Sequence, residues 1–341
     1  GIFCWSAGYN RPMKISIDSL KAKLLELLSA NFTPEESEKI VEYLLWADMS
    51  GIKTQGIIKM TGTEPLQNIA PEHEVSVLRN TKLSQLIDAG RNPAPLTAQI
   101  ATDVAIAKAK EHGFAIVGIK NTFSSNGAQA FYVEKIAKEN LVGVMCSRSP
   151  ASAAGFGSID PIFGTDPIGF GFPTNDTPLV FDMATSAMTF YGLVLAKARG
   201  EQIPENMAID HDGNPTTDPA AAMSGAILSF DRSYKGSGFA LVVEMLAGPL
   251  LGGAWVDNKS FKEEWGTTIM AIDPELLVDI AEFKSNASDL ISKVKSARKA
   301  DGVKVIRLPG EHGRELYETA LVNGEVEIDD AIAKQLGIEV Q

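Results

Sequence analysis

Phe114-Ala-Ile-Val-Gly-Ile119 and Leu141-Val-Gly-Val-Met145 are short apolar runs separated by a segment of helical period, Phe131 to Glu139. Ahead of them, proline opens and glycine closes the segment Pro93 to Gly113, whose Ala101, Val104, Ala105, Ala107 and Ala109 offer a small-residue surface for close packing. Strands of this length alternating with helices indicate an α/β domain. Upstream, Leu20, Leu24, Leu27 and Leu28 recur at helical spacing behind Asp18, which reads as an N-cap. Thr33, Pro34, Glu35 and Glu36 read as a capping box opening a helix to Met49, with Ile40, Val41, Leu44, Leu45 and Met49 as its apolar stripe. Gly51 and Gly56 then bracket a short loop, a common place for function.

Downstream, residues 151 to 178 are dense in glycine, proline, serine and aspartate, so Ile168 to Phe172 and Leu179 to Phe181 read as strands joined by tight loops. Asp210 to Pro219 lacks the spacing and terminal glutamate of a calcium loop and reads as turn chemistry. Phe239 to Leu251 reads as a buried helix behind the glycines of Lys235-Gly-Ser-Gly238. From Pro274 the chain is mostly helical and charged, interrupted at Val303 to Leu308 and turned at Pro309-Gly310. The twelve residues before Met13 are read as a leader or remnant and set aside.

Composition narrows the function. The 341 residues are 45% hydrophobic and 22% charged, as in a packed protein. Acidic residues outnumber basic ones 43 to 31, a formal charge of -12, and no basic block offsets them, which speaks against a nucleic-acid partner. Two cysteines, Cys4 and Cys146, make no disulfide framework and fit a reducing cytoplasm. No apolar run is long enough to span a membrane. G-x-G-x-x-G after a strand, the P-loop, H-E-x-x-H and G-x-S-x-G are all absent, and His73, His112, His211 and His312 are scattered, so no metal site is expected. Glycine-rich turns at element ends remain, able to hold a phosphate or carboxylate through backbone N–H groups. Lys235 is either a cation for an anionic ligand at a helix start or a solvated loop lysine. Asp182 is either a ribose acceptor or a helix cap.

Six segments together resemble the malate/L-lactate dehydrogenase family that is distinct from the Rossmann-type lactate and malate dehydrogenases. They are Ala47-Asp-Met-Ser-Gly51, Gly164-Thr-Asp-Pro167, Phe181-Asp-Met-Ala-Thr185, Asn214-Pro-Thr-Thr-Asp-Pro219, Lys235-Gly-Ser-Gly238 and Leu308-Pro-Gly-Glu311. The resemblance implies an α/β fold: a non-Rossmann, nucleotide-binding mixed sheet flanked by helices at 76–274, and a helical unit from 13–75 plus 275–341. It implies a homodimeric, NAD- or NADP-dependent oxidoreductase interconverting 2-hydroxy and 2-oxo acids, or related imino acids, with a small carboxylate as substrate. Carried over by motif, the cofactor lies against Asp182, Met183 and Ala184, with Lys235 near its phosphates and Pro309, Gly310, Glu311 and His312 closing the site.

The departures concern the proton. Where the family reads Ser-His-Gly and then arginine, this chain reads Thr54-Gln55-Gly56 and then Lys59. Glutamine can donate a hydrogen bond but supplies no proton near neutral pH, and loss of a general acid costs about 100- to 10,000-fold. A second family histidine aligns with Ser124 or Ser125. Lys59 keeps a cation for a carboxylate but loses the arginine fork, so substrate preference is expected to differ. Two readings follow: a divergent dehydrogenase in which water, Lys59 or a hydroxyl relays the proton, or a member that keeps cofactor binding as a binding or regulatory module.

Overall fold

The computed structural model describes residues 13–61, 65–256 and 265–338. Cys4 and the set-aside segment lie outside these. The described residues form two compact units, one from within 1–69 and 313–341, the other from within 70–312.

In the first unit the strand Met13–Ser16 pairs antiparallel with Glu325–Ile328. The helix Ile17–Leu28 buries Leu20, Leu24 and Leu28. Its N-cap is Ser16, whose side chain accepts the Ser19 N–H, and the expected cap Asp18 lies in the first turn. A serine oxygen two residues earlier does the capping, which leaves Asp18 to complement the helix dipole. The helix Pro34–Met49 runs as expected from its capping box, with Thr33 and Glu36 exchanging hydrogen bonds.

The second unit is built on a seven-stranded sheet in the order Ser76–Asn80, Ser84–Asp88, Phe114–Thr122, Trp265–Ile272, Val142–Arg148, Ile168–Phe172, Leu179–Met183. Only the pair Ser84–Asp88 with Phe114–Thr122 is parallel in it. The helices Ala94–His112 and Ala130–Lys138 pack on this sheet. The second approaches closely because glycines face it: a Cβ at Gly171 would lie 2.1 Å from the Val133 carbonyl oxygen. The alternate residues Val144 and Cys146 pack instead with Val243 of the helix Tyr234–Ala247. Successive strand residues face opposite sides, so the sheet is covered on both.

A five-stranded sheet of short strands, including Ala153–Ala154 and Ala226–Ile227, packs with the helix Phe190–Arg199 around Phe163, Leu193 and Ile203. The 210–219 loop is turn chemistry: Asp210 Oδ1 accepts the Asp212 and Asn214 N–H groups. One expectation is corrected here. The helix expected at Phe239–Leu251 runs Tyr234–Ala247, because Ser233 caps it ahead of the glycines, and it exposes Leu241, Val242 and Met245 rather than being buried. Residues 275–312 group with the sheet unit, to which Lys284 bonds at Asn140 and Ser288 at the Asn175 N–H. No helix among the described residues is long and apolar enough to cross a membrane.

Candidate active site

In the first unit, the chain after the helix Pro34–Met49 folds around one buried carboxyl. Asp48 Oδ2 accepts the Ile57 N–H at 2.5 Å, and Oδ1 lies 3.3 Å from Lys53 Nζ. Lys53 also donates to the Glu327 carbonyl at 2.6 Å. A Cβ at residue 56 would fall 1.9 Å from Asp48 Oδ2, so only glycine lets the turn close on the acid. Burial raises Asp48 to about 6, against the opposing pull of Lys53 and the Ile57 N–H.

Thr54 and Gln55 stand on this turn, and Lys59 follows in the 3-10 turn Ile57–Met60. Gln55 Oε1 is enclosed yet accepts no hydrogen bond. Lys59 has no acid within ion-pair distance among the described residues, and burial alone lowers its ammonium to about 8. A half-buried cation with no acid beside it among the described residues is suited to an incoming carboxylate.

In the second unit, the candidate segments converge on the strand Leu179–Met183 and its continuation to Ser186. Gly310, with φ +81°, seats the Pro309-Gly310 turn against Val180, where a Cβ would lie 3.0 Å from the Val180 carbonyl oxygen. Thr185 receives the Phe230 N–H on its carbonyl, and Ser186 bridges to Ser229, which brings the start of the helix Tyr234–Ala247 alongside. Lys235 lies in that first turn, exposed, with no ion pair among the described residues. Met183 and Ala184 are partly exposed at the strand end.

Asp182 is engaged: its carboxylate accepts the Ala130 and Gln129 N–H groups, the first at 3.0 Å, and so holds the start of the helix Ala130–Lys138. Of the two roles open to it, it fills that of cap, but for a helix earlier in the chain. Burial pushes it to about 6 despite those bonds. Glu311 is engaged too, accepting the Leu308 N–H at 3.0 Å and Lys295 at 2.5 Å, and His312 Nδ1 lies 3.2 Å from Arg307. The donor set therefore fits a dinucleotide in part. Lys235 and the strand end are open to it, whereas Asp182 is spent on structure.

Ser124 and Ser125 sit in the loop between Phe114–Thr122 and Ala130–Lys138. Ser124 has φ +68°, a conformation costly for a residue with a Cβ, and its enclosed Oγ has no partner. Ser125 Oγ accepts the Gly127 N–H at 3.0 Å. Asn126 anchors this loop through Nδ2 to Ser147 and to Thr267, the latter at 2.6 Å, while its carbonyl accepts Tyr132 Oη. Sequence reasoning gave neither Asn126 nor Asp48 a role. Asp48 carried a signal, a charged residue set between Ala47 and Met49 at the end of an apolar helix.

Known proteins supply the remaining comparison. The family model described as malate/L-lactate dehydrogenase matches residues 15–337. The L-sulfolactate dehydrogenase of Methanothermobacter thermautotrophicus is 34% identical over 84% of this chain and 86% of that protein. The malate dehydrogenase of Pyrococcus horikoshii is 31% identical over 96% of each. A Δ1-pyrroline-2-carboxylate reductase of Burkholderia ambifaria is 31% identical over 77% of this chain and 81% of that one. Among solved structures, malate dehydrogenase from Pyrococcus horikoshii superposes with TM-score 0.83 at 27% identity, covering 98% and 99% of the two chains. With a match across nearly all of its described length, the chain belongs to the malate/L-lactate dehydrogenase family and is an oxidoreductase.

Proposed function

We propose that the protein is an NAD- or NADP-dependent oxidoreductase of small carboxylates, interconverting 2-hydroxy and 2-oxo acids or the corresponding imino acids. The observation that carries the reading is Lys59, a half-buried cation without an acid partner among the described residues, just after the turn that bears Gln55. It serves as the anchor for the substrate carboxylate, through one charge-assisted contact rather than a fork. Relatives are named for malate, sulfolactate and pyrroline-2-carboxylate, each a carboxylate whose neighbouring carbon bears a hydroxyl or an imine nitrogen.

A bound nicotinamide supplies or accepts the hydride. Toward it, this chain offers Lys235 for the phosphates, the strand end at Met183 and Ala184, and the turn Pro309-Gly310. The exposed face of Tyr234–Ala247, with Leu241, Val242 and Met245, is the surface assigned to a homodimer. Titration of intrinsic fluorescence with NADH and NADPH tests the cofactor assignment. Lys235→Ala is expected to weaken affinity by about 1.5 to 3 kcal/mol with the melting temperature unchanged. Equal affinity in the variant would remove Lys235 from the site.

A further inference from the structure

The turn that follows Asp48 holds two polar groups of opposite character, neither satisfied among the described residues. Gln55 Oε1 is enclosed and accepts nothing. Lys59 is a cation with no acid beside it. A buried acceptor without a donor and a cation without an anion are both costly, so a ligand that satisfies the pair must bring a donor and an anion together. Gln55 and Lys59 share one short turn, which makes a single small molecule the natural bearer of both.

Substrates differ on this point. A 2-oxo acid brings the carboxylate, but its C2 oxygen is only an acceptor and leaves Gln55 Oε1 unsatisfied. A 2-iminium carboxylate brings the carboxylate and an N–H on the neighbouring carbon. A 2-hydroxy acid also brings a donor, but its oxidation requires a base to take the hydroxyl proton, and glutamine is none.

The proton inventory of the turn points the same way. Gln55 does not titrate. Asp48, at about 6, is mostly ionised at neutral pH, with one oxygen on the Ile57 N–H and the other beside Lys53. Lys59, once paired with a carboxylate, holds its proton more tightly, and Thr54 is a poor acid. Ketone reduction needs a proton for the developing alkoxide, whereas an iminium already carries its own.

We propose that Gln55 is a specificity-determining residue that selects 2-iminium carboxylates, cyclic imino acids among them, over 2-oxo acids, its amide oxygen accepting the substrate N–H while Lys59 holds the carboxylate. Hydride from the reduced nicotinamide forms the new C–H bond at C2. The C=N π pair becomes the nitrogen lone pair, the N–H stays, and the product is a secondary 2-amino acid plus oxidised nicotinamide. No protein group gives up a proton, and the amine takes one from water after the step. This inference rests on the oxidoreductase reading above and narrows its substrate.

A test that needs no turnover compares pyrrole-2-carboxylate with furan-2-carboxylate by calorimetry, with and without oxidised cofactor. The two share size and charge, but only the first has the ring N–H. The wild-type protein is expected to prefer the pyrrole by about 10-fold or more, as a buried hydrogen bond with a well-placed partner gives. Gln55→Met should erase the preference and Gln55→Glu should keep it. In kinetics, kcat/KM for Δ1-pyrroline-2-carboxylate should exceed that for pyruvate by about 100-fold or more, the size of a missing general acid. Gln55→His should raise ketone reduction by supplying the missing acid and so narrow the imine-over-ketone ratio of kcat/KM. Equal binding of the two ring acids, or wild-type reduction of ketones as fast as imines, overturns the inference and leaves the oxidoreductase reading standing. Absence of both nicotinamide binding and turnover overturns that reading and the inference with it.

Discussion

Lys59 and Gln55 depend on Asp48, because the turn that presents them closes on its carboxyl. Resemblance alone pointed to positions 55 and 59, since nothing in composition or spacing marks a glutamine as a site residue. The role of Asp48 was hidden because it arises from a contact across nine residues, to the Ile57 N–H, and from the space left by Gly56. Lys59→Met is expected to raise the KM for a carboxylate substrate about 10-fold or more, the size of one charge-assisted hydrogen bond, with cofactor affinity unchanged. An unmoved KM removes the assigned role. The ammonium is charged below about 8, so substrate affinity should be level under that pH and fall as pH rises through it. Lys59→Met should flatten the profile.

At the level of elements, the helix Ala130–Lys138 begins on a carboxylate from a strand that lies fifty residues later in the chain. Its own N-cap, Gln129, makes no side-chain cap, and Asp182 takes the place of one. Local patterning located this helix within one residue but had no means of locating its cap. Asp182→Ala should cost about 0.5 to 2 kcal/mol in a denaturant melt, the range for a lost cap, while Asp182→Asn retains an acceptor and should stay near wild type. Equal loss in both variants would mean that charge, not the hydrogen bond, is what the helix start requires. The helix Tyr234–Ala247 shows the reverse: its apolar composition suggested burial, yet Leu241, Val242 and Met245 are about half exposed. Hydrophobicity marks a face to be covered without saying whether the cover comes from the same chain. If this face carries the proposed homodimer, Met245→Glu should lower the mass seen in sedimentation at micromolar concentration, and an unchanged mass would remove the face from that role.

Across the molecule, the α/β character was legible because short apolar strands alternate with segments of helical period, as at 94–148. The hydrogen bonds that Lys284 and Ser288 make to Asn140 and Asn175 follow from no local pattern. Four buried carboxyls share one thermodynamic consequence. Burial raises Asp48 and Asp182 to about 6, and it raises Asp166 well up, with help from Glu244 and against Arg148 and two backbone N–H groups. Burial also raises Glu244, despite its 3.1 Å pair with Arg148. Each folded value lies above the unfolded one, so the stability linked to it is complete at low pH and is lost as pH rises through the folded value. The melting temperature should therefore be higher near pH 5 than near pH 8, and a rise over that interval would contradict the assignment of these groups as buried acids. The most direct measurement of the whole account follows the near-ultraviolet absorbance of NADH and NADPH with Δ1-pyrroline-2-carboxylate and pyruvate, for wild type and Gln55→His. The account predicts wild-type oxidation of a reduced cofactor with the imine far ahead of the ketone, and a ketone rate that rises when histidine is restored. A wild-type protein that oxidises neither cofactor with either substrate, and gains nothing from the histidine, would contradict it.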